Sequence, residues 1–511
     1  MRGKSLMIQG TASSVGKSVL CAALLRIMKQ DGLRCAPFKA QNMALNSFAT
    51  SEGLEMGRAQ VVQAEAAGIE PSVRMNPVLL KPTSDRRSQV IVNGKSIGTM
   101  SAAEYERFKP QLREMIRSVY GRLESGVDAV VIEGAGSPAE INLKQGDIVN
   151  MSMAKSADAP VILVGDINPG GVFASLYGTV KLLDEEEQAR IKGIVINKFR
   201  GDVRILESGL DRIEQLLGIP VIGVIPWTEI DLEDEDSVTD RFERSGGAAP
   251  VKVAVVHLPH ISNFTDFNLL SAEPDAALCY TAKAQDIREA DVVILPGTKN
   301  TIEDLEWMRA MGIAEQVVRH AREGGLTIGI CGGYQMLGRA LFDPQHVESA
   351  IPQTEGLGLL DFSVTFRAEK TTVQAAGAIR AESGWLSRCD GTVVDGYEIH
   401  SGVNDFGPEC IPFLSLNGRT EPDGIMNPEG SVMGSYLHGI FDSEPFRRAV
   451  VNRVRTEKGM AERAGTALTA AQFREKEFDR LAAVVRQNLD MDAVYRIMRG
   501  EDVPCGRWSH A

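Results

Sequence analysis

The chain has 511 residues, 43% of them hydrophobic and 24% charged, with a formal net charge of −13. That length predicts more than one domain, and the acidic balance argues against a nucleic-acid partner. No apolar run approaches the ~18 residues of a membrane span, no signal-peptide pattern precedes the first strand, and the seven cysteines form no CxxC pair, so we expect a cytoplasmic protein with reduced thiols and neither zinc nor disulfides.

Ser5–Gln9 is a short apolar strand, followed by GTASSVGKS from Gly10 to Ser18. Val19, Leu20, Ala23, Leu24, Ile27 and Met28 then recur at helical spacing. Strand, glycine-rich loop, Gly-Lys-Ser and helix form the context of a phosphate-binding P-loop. Loop N–H groups between Gly10 and Gly16 and the helix N-terminus would cradle the phosphates of ATP. Lys17 would reach the terminal phosphates, and the Ser18 hydroxyl is suited to ligate Mg2+. Five residues separate the two glycines, one more than in the common loop.

Strands and helices then alternate. Apolar runs fall at Leu33–Phe38, Ala129–Ile132, Val161–Val164, Ile191–Ile196 and Val221–Ile225. Helical stretches such as Ala102–Tyr120 and Leu206–Leu217 separate them. Continuous Val/Ile runs predict strands buried on both faces, hence a doubly wound parallel sheet. Ligands of such sheets sit at the carboxyl ends of the strands. Glu133 ends one strand and is a candidate Mg2+ ligand; Asp166 ends the next beside Gly170–Gly171. Lys39 follows another strand, where a cation would neutralise a transferring phosphoryl group. Asn197, beside Lys198 at a further strand end, is a candidate reader of the adenine.

The acidic run Asp231–Asp236 reads as a solvated loop. Ser245–Pro250, SGGAAP, marks a domain boundary, so the first domain spans 1–247. A second alternating pattern starts at Val251: VKVAVVHLP, ADVVILPGTKNT and LTIGICGG are strands ending in turns, and Ile302–Arg322 is helical. The polar segment HISNFTDFNLL after the first of these strands carries no assignment. Cys331 ends an apolar strand, two glycines follow, and Tyr334–Leu341 is compatible with a helix. That pattern predicts a nucleophile elbow with a reactive thiol. The N–H groups of Gly297 and Gly332 are candidate oxyanion donors. A thiol nucleophile needs a base. His438 ends the short strand Val432–Tyr436 in GSYLHGIFD and is the first candidate; His400, in GYEIHSG, is the second. From Ser443 the chain reads as helices, with Phe446, Val450, Val451 and Val454 on one face and an amphipathic stretch from Phe473 to Met498. We expect both to pack on the second domain.

The string GICGGYQMLG resembles the glutaminase domain of triad-type class I glutamine amidotransferases, and the lengthened P-loop resembles dethiobiotin synthetase and its relatives. Longer strings narrow the resemblance: PFKAQNMALNS, NPVLLKPTSDRRSQVIVNG, IEGAGSPAEINL, GDINPGGVFASLYGT and NKFRGD. With the cysteine elbow and GSYLHGIF, they resemble the cobyric acid synthase family from Gln9 to about Asp442. The resemblance implies an α/β protein: a P-loop synthetase domain (1–247), a glutamine amidotransferase domain (251–442) and a C-terminal helical extension (443–511). It implies ATP- and glutamine-dependent amidation of the b, d, e and g carboxylates of adenosylcobyrinic acid a,c-diamide in cobalamin biosynthesis. ATP would activate each carboxylate as an acyl phosphate, and ammonia from glutamine would displace the phosphate. Partners would be small molecules: glutamine, ATP and the corrinoid substrate. Many triad glutaminases carry Glu two residues after the histidine; here, as in this branch, that position differs and is Ile440. Glu398 and Asp442 are left as candidates to orient His438. Two other readings stay open: the sister enzyme cobyrinic acid a,c-diamide synthase, and a P-loop switch ATPase carrying an inert glutaminase-like domain. Intact Cys331 and His438 argue against the second. Nothing in the sequence fixes the oligomeric state.

Overall fold

The computed structural model describes residues 4–84, 87–230, 249–382, 384–465, 469–506 and 508. The acidic run Asp231–Asp236 and the expected boundary at Gly247 lie outside the described residues.

Six strands build the first domain: β1 Lys4–Gly10, β2 Cys35–Phe38, β3 Ala129–Glu133, β4 Val161–Asp166, β5 Ile191–Phe199 and β6 Val221–Pro226. They form one sheet in the order β6-β5-β4-β1-β3-β2, every pair parallel. β3 is buried along its whole length, as a strand covered by helices on both faces must be. Helix α1, Lys17–Gln30, starts directly from the P-loop after β1 and buries Leu20, Leu24 and Ile27 against the sheet.

The expected helix Ala102–Tyr120 is broken. Ala102–Phe108 and Leu112–Glu124 are helical, and a 3-10 turn at Lys109–Gln111 contains Pro110, which cannot continue an α-helical ladder. The segment between β2 and Ala102 folds partly into a small second sheet of Gln41–Met43, Val78–Ser84, Arg87–Val92 and Lys95–Ser101. Asn93 and Gly94 both take positive φ, closing its last hairpin with the turn that Asn-Gly favours.

The second domain begins with β7 Val251–Val256, β8 Ala276–Thr281, β9 Val292–Leu295 and β10 Leu326–Ile330. Two long strands follow, β11 Phe362–Ile379 and β12 Val393–Phe406, then β13 Val432–Ser435. β8-β7-β9-β10-β13 run parallel. Beyond β13 the sheet continues through antiparallel strands to β11, which pairs with β12. The expected helix Ile302–Arg322 is two helices, Thr301–Ala310 and Ile313–Arg322, separated at Gly312 with φ 68°. The helix after Cys331 is Gly332–Leu337, shorter than expected, because the chain turns into the strand Ala340–Phe342.

The C-terminal helices divide between the domains, which corrects the expected packing. Glu444–Glu457 buries Phe446, Val450 and Val451 in the second core. The pair Ala470–Asn488 and Met491–Met498 returns to the first domain, where Phe478, Leu481, Val485 and Val494 join the core beneath α1. Charge reinforces the docking: Arg26 of α1 meets Glu475 and Asp479 at 2.7 and 2.8 Å.

The β11–β12 hairpin reaches across to the first domain. Tyr397 packs on Phe48 with ring centroids 4.9 Å apart, and Lys370 pairs with the buried Glu55 at 2.6 Å. The two active regions are therefore joined by packed surface.

Candidate active site

One buried carboxylate ties Ser18 of the P-loop to Lys39 and Gln63. Glu133, at the end of β3, is fully buried. Its Oε1 accepts from the Ser18 hydroxyl at 2.7 Å and from Lys39 Nζ at 2.9 Å. Its Oε2 accepts from Gln63 Nε2 at 2.6 Å. The Ser18 hydroxyl and the carboxylate thus lie side by side, a donor set that fits a hard cation sharing its remaining positions with phosphate and water. No group of three or more His, Cys, Asp or Glu side chains suited to a metal exists among the described residues. Lys17 folds over the loop and donates to the carbonyls of Ala12 and Gly136 at 3.0 and 3.3 Å.

Gly16 takes φ +95°, and a Cβ there would lie 2.2 Å from Asn197 Nδ2. Asn197 donates that amide to the Val15 carbonyl at 2.9 Å. The side chain expected to read adenine therefore braces the P-loop. Lys198 ties Asp166 at 2.9 Å and the Ser14 carbonyl at 2.7 Å, closing the same corner.

A cleft of about 1430 Å3 opens from Ser13, Ser14 and Lys17 past Lys39 to Pro259 and His260 of the second domain. Its basic side chains (Lys17, Lys39, Arg87, Lys109, Arg113, Arg117, Lys144, Lys155) outnumber its acidic ones (Glu106, Glu140, Asp147, Asp184, Glu187). On a chain of net charge −13, that local excess attracts a polyanion.

In the second domain, β10 delivers Cys331 into a turn with φ 50° and ψ −110°. A non-glycine residue at such φ marks a strained backbone, the state of a nucleophile elbow. Gly333 makes the turn possible, since a Cβ there would lie 2.0 Å from the Leu295 carbonyl oxygen. β13 runs beside β10 and brings His438 to the same end, where it lines one small cavity with Cys331, whose thiol lies 3.6 Å from the Ile399 carbonyl. Gly297 lies against this ring, its Cβ position 3.1 Å from His438 Cε1. Gly332 faces Thr298 across the elbow.

His438 Nδ1 meets Asp266 Oδ2 at 2.7 Å. The second oxygen of Asp266 accepts from the Gly439 N–H at 3.2 Å. Burial opposes a charged imidazole, yet Asp266 and the Cys331 side chain lift His438 to about 10. The expected orienting residues do not reach it. Glu398 is held by Arg419, and Asp442 faces Arg474 at 3.4 Å. Ile440 is buried in the core. The orienting carboxylate comes instead from HISNFTDFNLL, the segment left without a role. One signal pointed there: the segment follows the carboxyl end of β7, where site residues of parallel sheets gather.

Asn263, from the same segment, lies 3.3 Å from His438 Nε2 through its Nδ2. Its own N–H donates to Asn46 Oδ1 at 2.7 Å, and its Oδ1 accepts from the Ser47 N–H at 3.0 Å. Asn46 and Ser47 belong to the first domain, in PFKAQNMALNS. A backbone N–H is an unambiguous donor, so it fixes the Asn263 oxygen toward Ser47 and the amide N–H toward His438.

His400 stands apart from proton transfer. Its Nδ1 is bonded to the Gly402 carbonyl at 2.9 Å, its ring stacks on Tyr436 at 3.7 Å, and burial pushes it down to about 4.

The small cavity at Cys331 and His438 has a volume of about 30 Å3 and is also walled by Lys81 of the first domain. Leu80 and Pro82, the neighbours of Lys81 in one strand, line the large cleft. Side chains alternate across a strand, so this single strand touches both cavities.

Residues 6–237 match the family model of the CobQ/CobB/MinD/ParA nucleotide binding domain, and residues 252–446 match that of the CobB/CobQ-like glutamine amidotransferase domain. A protein named cobyric acid synthase from Photorhabdus laumondii subsp. laumondii is 52% identical over 505 residues, covering 97% of this chain and 98% of the relative. One of the same name from Alkaliphilus metalliredigens is 52% identical, covering 97% of this chain and all of the relative. Another, from Salmonella typhimurium, is 52% identical over 98% of this chain and 99% of its own length. A nucleotide-binding domain and a glutaminase-type domain, in that order and aligned end to end with these relatives, give the chain its place: it belongs to the cobyric acid synthase family.

Proposed function

We propose that this chain amidates the b, d, e and g carboxylates of adenosylcobyrinic acid a,c-diamide, using ATP and glutamine. The observation that carries this reading is the strand 78–84, which lines the cleft of Lys17 through Leu80 and Pro82 and the cavity of Cys331 through Lys81. Nitrogen release and carboxylate activation then occur on two sides of one wall.

A carboxylate is a poor acyl donor because oxide is a poor leaving group. Phosphoryl transfer from ATP converts it to an acyl phosphate. Lys17 and Lys39 stabilise charge on the transferring group, and the loop N–H groups between Gly10 and Gly16 orient the nucleotide. Ser18 and Glu133 would hold Mg2+, which neutralises phosphate charge when bound. The basic side chains of the cleft fit a substrate carrying several carboxylates.

Cys331 attacks the glutamine carboxamide as a thiolate, with His438 taking its proton through Nε2 and returning it to the departing ammonia. Asp266 holds Nδ1–H and stabilises the imidazolium. The N–H groups of Gly297 and Gly332 are suited to donate hydrogen bonds to the oxyanion, supported by their positions beside His438 and Thr298. Water then hydrolyses the thioester to glutamate. Ammonia crosses to the cleft and displaces phosphate from the acyl phosphate. No described helix is long and apolar enough to cross a membrane, and we assign the enzyme to the cytoplasm.

Mass spectrometry of the corrinoid product tests the assignment, because each amidation exchanges OH for NH2. Four exchanges on the a,c-diamide are expected. Reaction only at the a and c positions of cobyrinic acid would instead identify the sister activity, and no exchange would favour an ATPase of another role.

A further inference from the structure

The cavity at Cys331 contains more charge than hydrolysis of a carboxamide uses. Lys299, Lys370, Lys81 and Glu348 all line it. Lys81 and Lys370 are accounted for, each paired with Glu55 at 2.9 and 2.6 Å. Lys299 is not. Among the described residues no hydrogen bond or ion pair holds its ammonium, and Glu348 acts on it only through space. Glu348 accepts one long bond, from the Thr301 N–H at 3.4 Å. Burial pushes the Lys299 ammonium down and the Glu348 carboxyl up, the directions expected of two charges that lack adequate countercharge.

A cation and an anion left under-compensated in one pocket are complementary to a zwitterion. Glutamine, beyond its carboxamide, is an α-carboxylate and an α-ammonium on one carbon. We propose that Lys299 binds the α-carboxylate and Glu348 the α-ammonium of the glutamine whose carboxamide meets Cys331, with Lys370 and Lys81 adding to the positive side. This rests on the glutaminase reading above. Because Lys81 comes from the first domain, the amino-acid pocket is composite. A cavity of about 30 Å3 accommodates only water, so glutamine enters by displacing part of that wall.

Ammonia release by the full-length enzyme, measured as kcat/KM for three amides, tests the assignment. The amides are glutamine, 4-carbamoylbutanoate, which lacks the ammonium, and glutaminamide, which lacks the α-carboxylate. Wild type should prefer glutamine to both by about tenfold or more, since a pocket built for a polar group rejects the analogue without it. Lys299→Met should lose the preference over glutaminamide and keep that over 4-carbamoylbutanoate. Glu348→Gln should show the opposite pattern, and Lys299→Arg should restore that of wild type. If wild type releases ammonia but the variants retain its preferences, or lose both together, the subsite is overturned while the glutaminase reading stands. If wild type releases no ammonia from glutamine, the glutaminase reading itself fails. Should Lys299→Met not fold, Glu348→Gln, nearly isosteric, decides alone.

Discussion

His438 is buried to 1% exposure, yet its surroundings favour the charged ring. The Nδ1–Asp266 contact at 2.7 Å fixes the tautomer that leaves Nε2 toward the thiol. Asp266→Asn removes the charge and keeps the shape, so glutamine hydrolysis should fall by at least ~10²-fold, the low end for acid–base groups. Its imidazole should also titrate well below the wild-type value near 10, read by NMR of labelled histidine. The linkage sign follows: folding raises this pKa, so the stabilisation is complete below the unfolded value of about 6.5 and is lost as pH rises through about 10. His400, neutral down to about pH 4, should tolerate Asn with a much smaller loss of rate. Equal losses at both histidines would contradict these roles. Cys331, Lys17 and His438 were legible because each lies in a local motif, Cys331 and His438 just after a strand and Lys17 where the P-loop enters α1. Asp266 was not, because it lies 172 residues before its partner and no local pattern joins them.

At the scale of elements, the segment after β7 matters most. It carries Asp266 to one ring nitrogen of His438 and Asn263 to the other. Asn263 directs an amide N–H at Nε2, opposing there the proton that Asp266 favours, and Asn46 and Ser47 hold it in place. Asn46→Ala should let Asn263 turn away and raise glutamine hydrolysis severalfold in the absence of ATP and corrinoid. An unchanged or lower uncoupled rate would show that this contact does not restrain the base. The C-terminal helices supply a second case. Periodicity revealed that Phe473–Met498 is amphipathic, but an apolar face does not name the surface that covers it. It docks on α1, and Phe478 is 1% exposed there. Phe478→Ala should cost about 3–5 kcal/mol. Urea unfolding with proteolytic mapping should place that loss in the P-loop domain; a loss confined to the glutaminase domain would contradict the packing.

Across the whole molecule, the fold order was readable from alternating apolar runs and punctuating glycines, because buried parallel strands leave continuous Val/Ile signals. The joint between domains was not, because Glu55, Lys81 and Lys370 come from distant parts of the chain and look like surface charges in sequence. The joint unites two chemistries that remain separable in principle. Lys17→Ala should stop amidation with either glutamine or ammonia, since both need the activated carboxylate. The most direct test of this division is Cys331→Ala assayed for corrinoid amidation at high ammonium and raised pH. The account predicts that glutamine-dependent amidation disappears while the ammonia-dependent reaction continues. Loss of both in a folded Cys331→Ala enzyme would contradict it.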